Sequence, residues 1–251
     1  MPALPQSFLT LPIAHRGLHD LPRGIPENSL AAAAAAIAAG YAIELDVQPS
    51  KDGVAMVFHD DDMPRLTGRD GLITDYTAAA LGEIDLAGGN EPVPTLAEFL
   101  SFVAGRVPLL IEIKSQDAFD GTNSTALVAE VARVLDGYQG DVALMSFNPH
   151  AVLALRDAIP HLARGLTTWG WDDLPESALP AGIIAPMLAI DAYDAAGCSF
   201  ISHDHTDLSR PRVAELKAQG AKILCWTIRS PAEEQAARVI ADNITFENYR
   251  A

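Results

Sequence analysis

Residues 41–48, Tyr-Ala-Ile-Glu-Leu-Asp-Val-Gln, decide the fold because they form a strand with two different faces. Side chains alternate along a strand, so the apolar residues at positions 43, 45 and 47 share one face, and Glu44 and Asp46 share the other. An apolar face that packs on helices and a charged face that lines a cavity are typical of a barrel strand with an active site at its carboxyl end.

A second strand repeats the pattern and places Glu112 and Lys114 together on its inner face. Charged side chains are costly to bury in a strand unless they are paired or bind a metal. Three converging carboxylates, Glu44, Asp46 and Glu112, predict a site for one divalent cation, Mg²⁺ or Ca²⁺. The alternative is a structural ion-pair network that joins Glu44 and Glu112 to Arg16 and Lys114.

Segments typical of strands and helices alternate along the whole chain. Strands are predicted at residues 11–15, 41–47, 54–59, 108–114, 142–146, 161–167, 199–203, 221–227 and 243–246. Helices are predicted from residue 30 to Gly40 and at residues 125–135, 149–159, 210–219 and 231–240. This alternation favours a parallel sheet of the α/β class, and we expect one (β/α)8 TIM barrel domain over residues 1–251. An open, doubly wound sheet is the alternative.

Two connections are too long for a simple barrel. Residues 54–95 contain a strand of their own and several glycine turns, so we interpret them as a small insertion after strand two. Residues 168–197 are rich in proline and tryptophan, and long loops in compact domains are often functional.

Composition restricts the possible partners and the compartment. The net charge is −16, which disfavours nucleic acid and anionic lipid as partners and requires local positive charge at any phosphate site. The longest apolar run, residues 30–40, is too short to span a bilayer, and the first ten residues lack signal-peptide features. The two cysteines do not support a disulfide framework, and Cys225 fits a core position. We therefore expect a cytoplasmic protein without stable membrane association.

Two histidines add proton-transfer groups to the acidic cluster. His15 ends the first predicted strand and His59 ends the strand that follows strand two. Histidine can donate or accept a proton near neutral pH, so the pair suits acid/base chemistry beside a metal. A lone histidine would more often be a hydrogen-bonded structural residue, but two beside three acids favour function. Arg16 and Lys114 supply donors for phosphate oxygens.

Together these residues match an ordered set of motifs. The set comprises His-Arg-Gly at 15–17, Pro-Glu-Asn-Ser at 26–29, Glu-Leu-Asp-Val at 44–47, Lys-Asp-Gly at 51–53, His-Asp at 59–60, Arg-Leu-Thr-Gly at 65–68, Pro-Thr-Leu at 94–96 with Glu98, and Ile-Glu-Ile-Lys at 111–114. In the order and spacing of these motifs, the chain resembles the glycerophosphodiester phosphodiesterases, which are metal-dependent (β/α)8 barrels with a small insertion after the second strand.

The resemblance implies a reaction and a role for each group. The family opens a glycerophosphodiester to leave glycerol 3-phosphate and an alcohol such as choline, ethanolamine or glycerol. The implied roles are metal ligand for Glu44, Asp46 and Glu112, general acid or base for His15 and His59, phosphate ligand for Arg16 and Lys114, and glycerol contact for Trp226. The sequence does not show which histidine is the acid and which is the base, and it does not indicate an oligomeric state.

The second half of the chain departs from the family pattern. Arg229 stands where asparagine is usual, and the last strand ends in Thr-Phe-Glu-Asn at 245–248 in place of Thr-Asp. The loop between His15 and Pro26 is also longer than the common form. We expect these departures to affect the choice of head group more than the chemistry.

Other interpretations remain. His203-Asp204-His205 could form a second metal site, but a solvated polar loop is the preferred interpretation. The acidic run at residues 60–62 lacks the spacing of a calcium loop, and we expect Asp60 to orient His59. At the level of function, the alternatives are a lysophospholipase D acting on lysophospholipids and an inactive barrel that binds a glycerophosphodiester.

Overall fold

The computed structural model describes residues 2–114, 124–170, 182 and 184–251. Its strands are β1 (Ile13–Ala14), β2 (Ala42–Pro49), β3 (Ala55–Val57), β4 (Leu109–Ile113), β5 (Val142–Ser146), β6 (Ala163–Thr168), β7 (Phe200–Asp204), β8 (Lys222–Ile228) and β9 (Asn243–Phe246). Its helices are α1 (Ser7–Thr10), α2 (Leu30–Ala39), α3 (Pro64–Thr67), α4 (Ala78–Leu81), α5 (Leu96–Val103), α6 (Ser124–Leu135), α7 (Pro149–Ala158), α8 (Ile184–Ala189), α9 (Ala192–Ala195), α10 (Pro211–Ala218) and α11 (Pro231–Ala237). Short 3-10 helices lie at Leu21–Arg23, Ile73–Asp75 and His205–Asp207.

The sheet closes into a barrel. Within the described residues, eight strands run parallel in the order β1-β2-β4-β5-β6-β7-β8-β9, and β1 pairs with both β2 and β9. Helices connect successive strands, since each parallel crossover must return the chain to the same end of the sheet. The predicted (β/α)8 barrel is confirmed, and the alternative of an open sheet is wrong.

Helix α2 illustrates how local sequence sets the boundaries of an element. The Ser29 side chain accepts a hydrogen bond from the backbone N–H of Ala32 at the start of the helix. Gly40, with φ of +77°, ends it in the left-handed conformation that glycine adopts most easily. Both boundary residues carry signals that are visible in the sequence.

Strand alternation divides the core into two layers. The outward-facing residues Ile43, Leu45 and Val47 of β2 pack with the surrounding helices. The inward-facing residues of the lower barrel, including Ala42 and Leu110, form a separate cluster with Phe8 of α1. Phe8 is fully buried, so α1 closes the amino end of the barrel. Polar side chains lie at the opposite end of the barrel, where the strands have their carboxyl ends.

The insertion after strand two is confirmed. Strand β3 pairs antiparallel with β2. Met56 of β3 and residues between β3 and α5, including Phe58 and Leu81, form a small apolar cluster. The Phe58 backbone N–H donates to the carbonyl of Asp46 at 3.0 Å. This pairing brings the residues that follow β3 back to the carboxyl end of β2.

The second long connection is described only in part. It contains α8 and α9, whereas residues 171–181 and 183 lie outside the described residues. Cys198 and Cys225 are both buried free thiols, as expected for Cys225, and burial raises the pKa of each to about 12. None of the helices that the structure describes combines the length and the hydropathy that a bilayer crossing needs.

Candidate active site

Three buried carboxylates meet at the carboxyl ends of β2 and β4. Asp46 and Glu112 are direct partners in the parallel register of the two strands, and Glu44 lies two residues before Asp46 on the same face. One oxygen from each of the three lies within 4.8 Å of the others. Their exposed fractions are 2%, 1% and 6% for Glu44, Asp46 and Glu112, so water does little to screen their charges. A buried, all-oxygen donor set of this kind fits a hard divalent cation.

The carboxylates do not share one electrostatic environment. Burial, and then the charges of Asp46 and Glu112, raise the pKa of Glu44 well above its ordinary value. Burial also raises the pKa of Glu112 despite the nearby Lys114. For Asp46 burial acts in the same direction, but the electrostatic effects of His59, Lys114 and Arg16 outweigh it and hold the pKa low. Without a metal, Glu44 is therefore the carboxyl that most readily keeps a proton.

A left-handed turn after β1 directs Arg16 into the cluster. Arg16 has φ of +54° and Gly17 has φ of +78°. The Arg16 backbone N–H donates to Oε2 of Glu44 at 2.9 Å, and its Nε lies 3.4 Å from Oδ2 of Asp46. Asn28 Nδ2 donates to the same Asp46 oxygen at 3.0 Å. Backbone and side-chain donors together orient two of the three carboxylates.

Lys114 lies on the opposite side of the cluster. Its Nζ donates to Oε1 of Glu112 at 3.0 Å and lies 3.6 Å from Oδ1 of Asp46. Burial would lower the pKa of Lys114, but these two carboxylates raise it above its ordinary value, so the ammonium stays charged. Part of the ion-pair network considered as an alternative is therefore present beside the carboxylate cluster. Lys114 pairs with Glu112, but the Arg16 guanidinium pairs with Asp46 and Glu27 instead of with Glu44.

A carboxylate just after the last strand holds His15. Nδ1 of His15 lies 2.6 Å from Oε2 of Glu247, and Nε2 lies 4.0 Å from Oε2 of Glu44. Burial lowers the pKa of His15, and the hydrogen bond to Glu247 partly offsets that effect. The Nε2 edge of the ring thus borders the cluster.

His59 has a similar partner in the insertion. Its Nδ1 lies 2.7 Å from Oδ1 of Asp60, and Arg65 donates to both Asp60 oxygens at 2.6 and 2.7 Å. Arg65 also donates twice to Glu27, at 2.9 Å each, and Glu27 accepts from Arg16 at 2.6 Å. The predicted orientation of His59 by Asp60 agrees with this contact, and the chain of ion pairs connects it to Arg16.

An aromatic wall faces the acidic cluster across a cavity of about 750 Å³. Phe147, Trp169 and Trp226 form the wall, with ring centroids 5.5 to 6.3 Å apart. The indole N–H of Trp226 donates to the carbonyl of Ser202 at 3.0 Å, which fixes its plane. The cavity is also lined by His59, Glu112 and Lys114, so one space joins an apolar surface to the charged residues.

The structure gives His203 no place in this cluster. His203 is buried, with Nδ1 2.7 Å from the hydroxyl of Thr168 and Nε2 3.2 Å from Asp207. Within the described residues, Glu44, Asp46 and Glu112 form the one group of potential ligands close enough together to hold a metal ion. The second metal site at residues 203–205 is therefore not supported.

The sequence reasoning did not predict four residues that support the site. Glu27 and Asn28 lie in the Pro-Glu-Asn-Ser motif at 26–29, which by itself assigns no role to either residue. Gln48 donates to Asp61 and to the carbonyl of His59. Glu247 lies in a departure from the family pattern, but its contact with His15 was not predictable because the two residues are 232 positions apart. This departure was expected to affect head-group choice. In the structure, however, Glu247 contacts His15, a candidate acid/base residue.

Known proteins confirm the relationship that these residues indicate. The sequence signature of the glycerophosphoryl diester phosphodiesterase family matches residues 15–246. The chain belongs to this family. It is 29% identical, over 87% of its own length and 86% of the relative's, to a glycerophosphodiester phosphodiesterase of Caldanaerobacter subterraneus subsp. tengcongensis.

Solved structures agree with the sequence match. A phosphodiesterase of Oleispira antarctica, solved in complex with the product sn-glycerol-3-phosphate, superposes with a TM-score of 0.76 at 26% identity, over 97% of this chain and 95% of that one. A glycerophosphodiester phosphodiesterase of Agrobacterium tumefaciens superposes with a TM-score of 0.68 at 25% identity, over 93% and 94%. Members of this family are phosphoric diester hydrolases, so the chain is a hydrolase of the same class.

Proposed function

We propose that this protein hydrolyses glycerophosphodiesters to glycerol 3-phosphate and the free alcohol, in a reaction that depends on one divalent cation, Mg²⁺ or Ca²⁺. The observation that carries the proposal is the arrangement of two histidines, each held at Nδ1 by a carboxylate, beside three converging buried acids. Geometry of this kind serves proton transfer to and from the two oxygens on either side of a phosphorus atom.

The two histidines would divide the proton transfers. One accepts the proton of the oxygen that attacks phosphorus, and the other donates a proton to the alcohol oxygen as its bond to phosphorus breaks. Both side chains are positioned by partners on different elements, Glu247 after β9 and Asp60 after β3. A fixed ring orientation preserves the alignment that such transfers require.

Glu44, Asp46 and Glu112 would hold the cation. Their oxygens lie close enough together for one ion. Burial and the charges of Asp46 and Glu112 raise the pKa of Glu44, so a cation at this position would favour its ionised form. When bound, a divalent cation supplies Lewis acidity toward a phosphoryl oxygen and offsets the negative charge that develops there. Arg16 and Lys114 would add hydrogen-bond donors to the phosphate oxygens.

The cavity supports the choice of a small diester. Its charged side, which includes Lys114, would suit the phosphate with the cation bound. Its aromatic wall of Phe147, Trp169 and Trp226 suits the carbon skeleton of glycerol or of the alcohol. The product complex of the Oleispira antarctica relative, which contains sn-glycerol-3-phosphate, agrees with this class of ligand.

The test is a metal-dependent assay on a panel of substrates. The panel contains glycerophosphocholine, glycerophosphoethanolamine, glycerophosphoinositol and a lysophospholipid, and the released alcohol is measured. We expect turnover of the water-soluble diesters that EDTA abolishes and that Mg²⁺ or Ca²⁺ restores. Activity confined to the lysophospholipid would support the lysophospholipase D alternative, and binding without turnover would support the inactive barrel.

Variants assign the activity to this site. His15→Ala and His59→Ala should each lower kcat by about 10²–10⁴-fold, the range typical of a general acid or base. His161→Ala is the matched control, because His161 is exposed and precedes β6 at the other end of the barrel. Turnover near that of the unmodified protein in either site variant would remove that histidine from the mechanism.

A further inference from the structure

Two departures from the family pattern contact each other in the structure. Arg229, two residues past Thr227 on the loop after β8, donates from Nε to Oε1 of Glu247 at 2.8 Å. Glu247 follows β9, the strand that neighbours β8 in the barrel. The other oxygen of Glu247, Oε2, is the one that lies 2.6 Å from Nδ1 of His15. One carboxylate therefore joins the two unusual positions to a candidate acid/base residue.

The surroundings of Glu247 restrict its orientation. Its side chain is 13% exposed, and it is held at one oxygen by Arg229 and at the other by His15. His19, from the elongated loop after β1, brings Nε2 to within 3.7 Å of the same Oε2. Three side chains from two separate segments, the turn after β1 and the loop after β8, thus converge on one carboxylate. A surface ion pair does not require that many contacts.

We propose that Glu247 is the positioning residue for His15 and that Arg229 holds Glu247 in place. An ionised carboxylate can only accept hydrogen bonds, so Nδ1 of His15 must carry the proton of that contact. The tautomer and the ring plane are thereby fixed, and Nε2 is the nitrogen presented toward Glu44, 4.0 Å away. A carboxylate that orients a histidine in this way commonly preserves its catalytic geometry.

The residue that would position His15 is thus part of this chain and not a bound group. The inference rests on the proposed function, because it assigns a partner to one of the two acid/base groups. It also concerns a hydrogen bond that exists without substrate or metal. The tautomer of His15 can therefore be measured independently of turnover.

The first experiment measures that tautomer by ¹⁵N NMR of the imidazole nitrogens. The histidine signals are assigned with the His15→Ala variant. In the unmodified protein, His15 should be protonated at Nδ1, and in Glu247→Ala it should shift toward the Nε2-protonated form or a mixture. Glu247→Met keeps a side chain of similar volume without the acceptor oxygens, and it provides the same comparison if Glu247→Ala does not fold. An Nδ1-protonated His15 in both variants would overturn the proposal.

The second experiment measures kinetics. Glu247→Gln should lower kcat by about 10–100-fold, the usual effect of removing an outer partner, with KM and metal affinity nearly unchanged. Glu247→Asp, which restores the carboxylate, should recover part of the loss. Glu247→Gln in a His15→Ala background should cause no further loss, since its effect acts through that ring. Fully additive losses, or an unchanged kcat in Glu247→Gln, would contradict the positioning role.

A matched control excludes a general effect of losing an ion pair. Glu130 on α6 accepts from Nε of Arg133 at 2.7 Å and is 16% exposed, close to the values for Glu247. Glu130→Gln should leave kcat and the His15 tautomer unchanged, whereas Arg229→Gln should lower kcat in the same direction as Glu247→Gln. If the unmodified protein turns over no substrate of the panel, the proposed function fails, and the NMR result still decides the role of Glu247.

Discussion

Replacing Glu44 by glutamine should stabilise the metal-free protein. Glu44 is 2% exposed, and oxygens of Asp46 and Glu112 lie within 4.8 Å of it. Two unit charges at that separation repel by about 3–4 kcal/mol at an effective dielectric constant near 20. Protonation of Glu44 relieves part of this repulsion, so we expect Glu44→Gln to raise the free energy of unfolding by about 1–3 kcal/mol. The glutamine oxygen can still accept the Arg16 backbone N–H that now donates to Glu44 at 2.9 Å.

The same substitution should remove the benefit of metal. A ligand at a hundred times its Kd stabilises the native state by about 2.7 kcal/mol, and a protein of this size gains about 2–4 °C in Tm per kcal/mol. Thermal unfolding is measured in EDTA and in excess Mg²⁺ or Ca²⁺. Glu44→Gln should have the higher Tm in EDTA, and the unmodified protein should show the larger increase with metal. Glu83→Gln, at an exposed carboxylate, is the control.

The pH dependence has a definite sign. The native protein holds the Glu44 proton more tightly than the unfolded chain does, because burial and neighbouring charge raise its pKa above 4.5. The metal-free protein should therefore lose stability as pH rises from about 4.5 through the native pKa of Glu44. Glu112 contributes with the same sign, so Glu44→Gln should reduce this slope without abolishing it. A Glu44→Gln variant that is less stable in EDTA at every pH would refute the reasoning.

Three further predictions concern the scaffold and the metal. Phe8→Ala should cost about 3–5 kcal/mol by urea unfolding, because it empties the closed end of the barrel, whereas Leu21→Ala, at a side chain 55% exposed, should cost little. Gly17→Ala should lower the free energy of unfolding by about 1–3 kcal/mol, because its φ is +78° and a Cβ would lie 2.8 Å from that of Ala32. Gly53→Ala is the control, since Gly53 has a similar φ of +81° but open space around it; the difference between the two variants gives the cost of the contact with Ala32. Metal binding should release protons and weaken at low pH, which calorimetry in buffers of different ionisation enthalpy measures; binding without proton release would contradict the raised carboxyl pKa.

Strand periodicity explains which parts of the site were predictable. Glu44, Asp46 and Glu112 lie in strands whose alternation is a local property, so the sequence alone shows that they share the inner face. Their register across β2 and β4 follows once the barrel closes. The same alternation predicted that Ile43 and Leu45 pack against the helices, because residues next to cavity-facing positions in a strand point to the opposite face.

Contacts between distant segments were not predictable in this way. Helix α1 spans only Ser7–Thr10, too few residues for a helical period, although Phe8 closes the barrel. No local pattern connects Glu247 with His15, since the contact exists only because β9 pairs with β1. The departures at Arg229 and Glu247 contact each other through a hydrogen bond between the segments that follow β8 and β9. A comparison of single positions with the family pattern does not show this contact.

The charges of the site explain how a chain of net charge −16 can accept an anionic substrate. In the described residues, the ion-pair network around the cluster contains the carboxylates of Glu27, Glu44, Asp46, Asp60, Glu112 and Glu247, and the cations of Arg16, Arg65, Lys114 and Arg229. With neutral histidines, six carboxylates against four cations leave two negative charges, the amount that one divalent cation balances. Glu44 and Glu112 are the two candidate metal ligands with a raised pKa, so without a cation they are the groups that would bind protons to supply that charge. Arg16 and Lys114 are largely neutralised by their own partners, so the positive charge expected at a phosphate site depends on the cation as much as on these side chains.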